Sequence, residues 1–480
     1  MIITKMINKY QKMSLPVKAA FWYAFCNFLN KGIALLSTPI FTRILTEEQY
    51  GTFTIFQSWF NILIIFTSLN IFLGGFAKGL LLYKDDADGF ASSQLSLTSI
   101  ITMLFILIYC LNIDFWTKIF SLSPTLMIMM GLELLFMPAF EFWFSKEKFD
   151  YKYKKIVIVS ILMNLLSIAV SIIWIKNTNI KLEARVFSDI GVKLLFTVPL
   201  FAMIIIKGKK IFNWKYWKYA LSFNLPLIPH YLSNYVLNQS DRIMIGKMVG
   251  NIQAGYYSIA YSISTVLLLL TTAINNSLVP YIYKSIESKN VNKIKSIANL
   301  LIILIGIFSV IIMVMAPDII YIFAGKSYMD AIYVMPPIIA SVYFIFSYNL
   351  FSHIEYYYQK TGFIAIATTI AATLNILLNY IGIKHYGYYA AGYTTLICYI
   401  LLALCHYIFY KKILKEKMPN VKIYDDKNIW IIGLIIIIIS ITMAFIYKYT
   451  IIRYIIFILF IIELFAQKNK IIKIIKNLKW

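Results

Sequence analysis

Apolar residues in this chain neither alternate with polar ones nor recur in narrow stripes. They run unbroken, as in 99–113, 156–175, 297–316 and 429–447, from one end of the sequence to the other. Each run is close to the ~20 residues that a helix needs to cross ~30 Å of hydrocarbon. In lipid the backbone must satisfy its own hydrogen bonds, which leaves helices or closed barrels. Continuous runs lack the two-residue alternation of a barrel strand. The pattern predicts an all-α polytopic membrane protein of about fourteen spanning helices. They are expected near 19–41, 52–77, 92–113, 124–144, 156–175, 186–206, 219–240, 254–274, 297–316, 330–350, 362–383, 389–410, 429–447 and 450–466.

Every connection between these segments is short. The longest, near 411–428, leaves no room for a separate soluble domain. Lys and Arg crowd into the N-terminal tail, every second loop and the C-terminal tail, by roughly three to one over the remaining loops. That bias puts both termini in the cytoplasm. The opening residues hold lysines but no short apolar region before a small-residue cleavage site, so the first helix reads as an uncleaved anchor.

The chain also resembles itself at an offset of 204 residues. Gln49, Gly51, Ile55 and Ser58 lie over Gln253, Gly255, Ile259 and Ser262, Asn30 over Asn234, and the basic Arg43 over Lys247. Six helices separate the copies, which predicts two six-helix lobes related by a pseudo-twofold axis along the membrane normal, with two helices appended. The expected divisions are 1–210, 211–410 and 411–480. Parallel repeats of this kind are a pattern of transporters that bind cargo between halves.

Composition sharpens this picture at two points. Of 480 residues, 60% are hydrophobic and only 14% charged, whereas soluble domains are nearer half apolar and a quarter charged. The net charge of +24 would suggest nucleic acid in a soluble chain; here the basic loops account for it, and no nucleic-acid partner is expected. Cys26, Cys110, Cys398 and Cys405 all sit in apolar stretches without metal-ligand spacing. There is no GxxxxGK[ST], HExxH or GxSxG, so neither ATP hydrolysis, a catalytic centre nor a cofactor is expected.

Chemistry must then come from polar residues inside the helices. At 100° per residue, Asn27, Asn30, Lys31, Thr38 and Thr42 of the first helix share a stripe of about 120°. The seventh helix repeats the idea with His230, Ser233, Asn234, Asn238 and Asp241. Neither stripe can face lipid cheaply, so both are expected to line an interior or aqueous cavity. Lys31 lies mid-helix and reads as a cargo contact or as one half of a structural ion pair, and Arg43, Arg242 and Lys247 would place cations near the outer mouth. Asp189, Glu133 and Asp241 are the carboxylates suited to ion coupling, although Asp189 and Lys193, four apart, can neutralise each other. Tyr256-Tyr257 and Tyr356-Tyr357-Tyr358 read as an interfacial belt or as stacking surfaces for sugars.

Two segments resemble a known family. Asn30–Gly51, NKGIALLSTPIFTRILTEEQYG, is similar to the start of O-antigen and capsule flippases. So are Ser240–Gly246, SDRIMIG, and Ala254–Tyr261, AGYYSIAY. These flippases belong to the multidrug/oligosaccharidyl-lipid/polysaccharide exporter superfamily. The resemblance implies a V-shaped pair of lobes in the bacterial plasma membrane and a cationic cavity, with Lys31 as its leading anion contact and Arg43 and Arg242 weaker. It also implies transport of an undecaprenyl-pyrophosphate-linked oligosaccharide from the cytoplasmic to the outer leaflet, for O-antigen, lipopolysaccharide or capsule. Coupling to a proton or sodium gradient, contact with membrane lipids and contact with polysaccharide polymerase machinery would follow. The alternatives are a drug/cation antiporter of the same superfamily, which would favour an acidic aromatic cavity, and a membrane polysaccharide polymerase or ligase, which would need a sizeable outer loop.

Overall fold

The structure, a computed structural model, describes residues 13–288 and 290–477. Lys5, Lys9 and Lys12 of the N-terminal charge cluster lie outside it, as does Lys479. The described residues form 18 α-helices and no strand. In chain order they are α1 (Leu15–Ile44), α2 (Glu47–Ser68), α3 (Gly75–Leu82), α4 (Ala87–Leu111), α5 (Ile113–Phe120), α6 (Pro124–Phe149), α7 (Tyr153–Lys176), α8 (Lys181–Gly208) and α9 (Trp214–Asn224). There follow α10 (Ile228–Met248), α11 (Asn251–Glu287), α12 (Asn292–Val314), α13 (Ala316–Ala324), α14 (Met335–Tyr357), α15 (Thr361–Tyr386), α16 (Tyr389–Lys417), α17 (Asp426–Ile446) and α18 (Thr450–Asn477).

Fourteen of these are long and match the fourteen expected spans in order; α3, α5, α9 and α13 are short and lie in the connections. Among the described residues, ten helices are long and apolar enough to cross a membrane by length and composition. Of the other long helices, α1, α2 and α10 carry more polar residues through their apolar stretches.

Several boundaries differ from the sequence expectation, each for a local reason. The span expected at 52–77 stops at Ser68, because Leu69 and Asn70 both turn left-handed (φ 50° and 47°) and the chain restarts as α3. The span expected at 219–240 begins at Ile228, because Pro226 and Pro229 interrupt the backbone ladder and leave a 3₁₀ turn over Leu225–Leu227. It then continues to Met248, which moves Asp241 and Arg242 from a helix end to a helix interior. The expected 254–274 span extends to Glu287 with Pro280 inside it. The helix expected from 186 starts at Lys181, so Arg185 belongs to a helix and not to a loop.

The chain divides into two compact units, Met1–Tyr235 and Val236–Trp480, the division falling within α10. In unit 1, α8 packs along α6 and α7, and α1 lies against α7. An aromatic core of Phe76, Phe90 and Phe142 closes it on the α3 side. There α9 is held by side-chain bonds: Tyr216 Oη donates to Asp86 at 2.5 Å, Trp217 Nε1 to the Ser93 carbonyl at 2.9 Å, Tyr219 Oη to the Gly75 carbonyl at 2.9 Å, and Gln94 Nε2 to the Tyr216 carbonyl at 3.0 Å. In unit 2, α14 is the central helix, packed by α11, α12, α16 and α17 and buried along most of its length.

Candidate functional site

Asp241 sits on α10 inside unit 2 and is fully buried. Its carboxylate accepts from the Tyr257 hydroxyl, from Asn379 Nδ2 at 2.5 Å and from Thr395 Oγ1 at 3.1 Å. A second tier supports these partners. Asn379 Nδ2 also donates to Asn375 Oδ1 at 3.1 Å, Asn375 Nδ2 to Thr395 Oγ1 at 3.2 Å, and Thr394 donates to Asn379 Oδ1. Ser240 Oγ reaches Asn375 Oδ1 at 3.3 Å. Asn375 and Asn379, four apart, share one face of α15, and Thr394 and Thr395 come from the start of α16. Among the described residues no cation lies within ion-pair distance of Asp241. Arg242 turns away, donating to the Asn238 carbonyl at 2.7 Å and Gln239 Oε1 at 2.8 Å and stacking over Tyr261 at 4.3 Å. It is buried within a helix and is not a solvated loop charge. Tyr257 likewise serves the carboxylate and is fully buried, which removes it from any interfacial belt.

An anionic carboxylate held only by hydroxyls and amides is an unusual thing to bury, because its charge is hydrogen-bonded but not cancelled. Its surroundings are hard oxygen donors: phenol, hydroxyl and, with the side chains turned, amide oxygens. Such a set suits a proton or a hard cation.

Unit 1 holds the other two carboxylates in a different state. Lys193 Nζ lies 2.5 Å from Glu133 and 2.9 Å from Asp189. Asp189 also accepts from Ser167 and lies 3.7 Å from Arg185. Arg185 donates to Ser171 Oγ at 2.9 Å, and its guanidinium rests on Phe41 and Phe53 at 4.1 and 4.4 Å. Two cations and two anions therefore cancel inside one cluster that ties α1, α2, α6, α7 and α8 together. Arg185, counted from sequence as a loop charge, is buried and completes the cluster; the spacing Arg185-Asp189-Lys193 on one helical face was the signal for it.

The polar stripe of α1 divides. Thr38 and Thr42 are buried and bond back to the Ala34 and Pro39 carbonyls at 3.2 and 3.3 Å. Asn30 accepts from Asn164 of α7 at 3.0 Å. Asn27 and Lys31, one turn apart, are exposed, halfway along the helix, with no partner among the described residues. Arg43 is exposed and donates to the Pro39 carbonyl at 2.7 Å. On α10, Asn234 donates to the His230 carbonyl at 3.1 Å, and Asn238 accepts from Tyr261 at 2.6 Å.

Comparison with known proteins follows this geometry. A family model described as polysaccharide biosynthesis protein matches residues 17–286, and one described as MatE matches residues 226–381. A curated protein of Haemophilus influenzae, "Lsg locus putative protein 1", is 26% identical over 176 residues, 35% of this chain and 44% of that protein. A second from the same organism, an uncharacterized membrane protein, is 23% identical over 159 residues, 32% of this chain and 39% of its own. The chain thus matches less than half the length of these curated relatives. Among solved structures, lipid II flippase MurJ in an inward closed conformation is similar at a TM-score of 0.72 and 16% identity, covering 94% of this chain and 99% of its own. An inward-facing multidrug resistance MATE family transporter of the MOP superfamily gives 0.63 at 14% identity, covering 81% and 96%. The likeness establishes an all-α transporter fold of this type.

Proposed function

Since this chain belongs to the polysaccharide biosynthesis protein family, we propose that it is a flippase. Its cargo in this reading is a polyprenyl-pyrophosphate-linked oligosaccharide, moved from the cytoplasmic to the outer leaflet of a bacterial plasma membrane. The observation that carries the reading is Lys31: an exposed ammonium, beside the exposed Asn27, halfway along a membrane-spanning helix and without a carboxylate partner among the described residues. Placing a lysine there costs about 2.5–3.5 kcal/mol on insertion scales, and facing water or an anion is what offsets it. A pyrophosphate supplies such an anion, while the polyprenyl tail of the cargo stays in lipid. Asn30, Thr38, Asn234, Asn238, Arg43 and Arg242 remain secondary candidates for cargo contact.

Coupling in this reading belongs to Asp241, which exchanges a proton or a sodium ion, more than to Asp189 or Glu133, whose charges are already cancelled. Asp241→Asn is expected to remove the dependence of transport on an ion gradient while the protein still inserts. Deleting the gene tests the reading as a whole: lipid-linked repeat units should accumulate on the cytoplasmic leaflet and surface polysaccharide should fall. Unchanged surface polysaccharide, with no accumulated intermediate, would refute it. A second reading, export of organic cations, is favoured by the MatE match over residues 226–381. It expects the deletion strain to gain drug sensitivity instead.

A further inference from the structure

Residues 207–218, KGKKIFNWKYWK, carry five lysines and four aromatic rings that the transport reading does not use. They begin where α8, long and apolar enough to cross a membrane, ends at Gly208, and they run into α9. The backbone here is pinned to unit 1. A Cβ at Gly208 would collide with the Asp88 carbonyl oxygen, so glycine alone permits this approach. Ser92 Oγ donates to the Lys210 carbonyl at 3.0 Å, and Lys210 Nζ pairs with Asp86 at 2.5 Å. Tyr216 and Ala220 bury the inner face of α9.

The outer face holds two kinds of side chain. Trp214, Lys215 and Lys218 are neighbours at helical spacing and are all exposed. Phe212 meets Trp217 edge-on at 4.7 Å and is still 65% exposed, and Trp214 is 61% exposed. Lys207 and Lys209 are exposed as well. Asp86 cancels Lys210, but among the described residues no carboxylate lies within ion-pair distance of Lys207, Lys209, Lys215 or Lys218.

Four uncancelled charges so close together repel one another, and a like-charged i,i+3 pair is destabilising on a helix. An anionic surface removes that cost; a zwitterionic one, with no net charge, does so far less. Exposed rings on the same face suit the headgroup boundary, where amphipathic aromatics are favoured. Four or more basic residues beside a span and on a surface helix match an acidic lipid leaflet. A loop whose lysines served only to orient the chain would need neither the rings nor a pinned backbone.

We propose that residues 207–218 form a docking surface for anionic phospholipid, with Phe212 and Trp214 seated among the headgroups and Lys207, Lys209, Lys215 and Lys218 on the lipid phosphates. The surface lies within unit 1 and its test needs no cargo, so it stands apart from the flippase reading. Full-length protein is reconstituted in phosphatidylcholine vesicles that contain a minor fraction of brominated phosphatidylglycerol or, in parallel, of brominated phosphatidylcholine. The emission lost in Trp214→Phe isolates Trp214 from the other tryptophans, nine in all. Trp214 is expected to be quenched more by the brominated phosphatidylglycerol. Each lysine near an anionic surface favours association about fivefold, so Lys215→Gln with Lys218→Gln should cut the preference about fivefold or more, and Gln at all four lysines should abolish it. Gln at Lys118, Lys176, Lys326 and Lys384, exposed lysines elsewhere in the chain, should leave it intact. Should the four-lysine variant insert poorly, the native protein gives a second readout, a preference that falls as salt is raised. Equal quenching by the two lipids, or a preference lost equally in the control variant, would overturn the proposal. So would a Trp214 that neither lipid quenches, which would mean a face covered by protein. Displacement of the brominated phosphatidylglycerol by inorganic phosphate at constant ionic strength would give the lysines to a free ion and overturn it too.

Discussion

Lys31 and Lys193 both lie in the interior of long helices, and their surroundings assign them opposite expectations. Lys31 is exposed with no carboxylate partner among the described residues, so replacing it removes a charge without stranding another. Lys31→Ala is expected to reach the membrane at normal levels and to bind a pyrophosphate headgroup roughly tenfold or more weakly, the ~1.5–3 kcal/mol of a charge-assisted hydrogen bond. Lys31→Arg should keep much of the binding. Membrane abundance and surface polysaccharide, measured in the same strains, check this; full export by a well-expressed Lys31→Ala chain would remove the residue from the cargo site. Lys193 is held between Glu133 and Asp189, and its loss strands a buried charge. Lys193→Met is expected to destabilise the protein by about 3–5 kcal/mol, read as a fall in thermal midpoint in detergent. Combining it with Glu133→Gln should recover part of the loss, because the remaining Arg185 and Asp189 again cancel. A double variant less stable than the single one would contradict the neutral-cluster account. The stripe containing Lys31 and the Asp189-Lys193 pair were both legible in the sequence, because helical periodicity alone brings i and i+4 together. The partners of Asp241 were not: Tyr257, Asn379 and Thr395 come from three other helices, and their convergence is a tertiary fact.

At the scale of elements, apolar runs revealed all fourteen long helices, since length and hydropathy are one-dimensional properties. Their ends were less legible. Leu69 and Asn70 in left-handed conformation, and the prolines before Ile228, act through a few backbone torsions that an apolar average hides. The connection between α10 and α11 depends on one such residue. Gly250 has φ 149° and ψ 163°, a region essentially restricted to glycine, where another residue costs about 1–3 kcal/mol. A Cβ there would also meet Gln253 Oε1 at 2.8 Å. Gly362, in the first turn of α15, has no left-handed backbone and nothing within 4 Å of an added Cβ. Gly250→Ala is therefore expected to lower the thermal midpoint while Gly362→Ala leaves it unchanged or raises it, and an unchanged midpoint in Gly250→Ala would show that the α10–α11 turn is not constrained as described.

For the whole molecule, composition and short loops point to helices packed in a membrane, and the likeness to solved structures agrees with an all-α transporter fold. Cargo is a different level of information, because similar folds include both a lipid II flippase and a multidrug resistance transporter. The physics of a pyrophosphate favours outward movement: about two negative charges crossing ~100 mV, negative inside, gain roughly 4–5 kcal/mol when no compensating charge moves with them. An exchanged cation at Asp241 would alter that balance. The most direct test is reconstitution of the purified protein in vesicles loaded on one leaflet with a polyprenyl-pyrophosphate-linked oligosaccharide, with exposure on the other leaflet followed by a membrane-impermeant lectin. The account expects protein-dependent exposure that falls in Lys31→Ala and loses its response to a sodium or proton gradient in Asp241→Asn. Vesicles that export organic cations but leave the lipid-linked sugar on its original leaflet would contradict it.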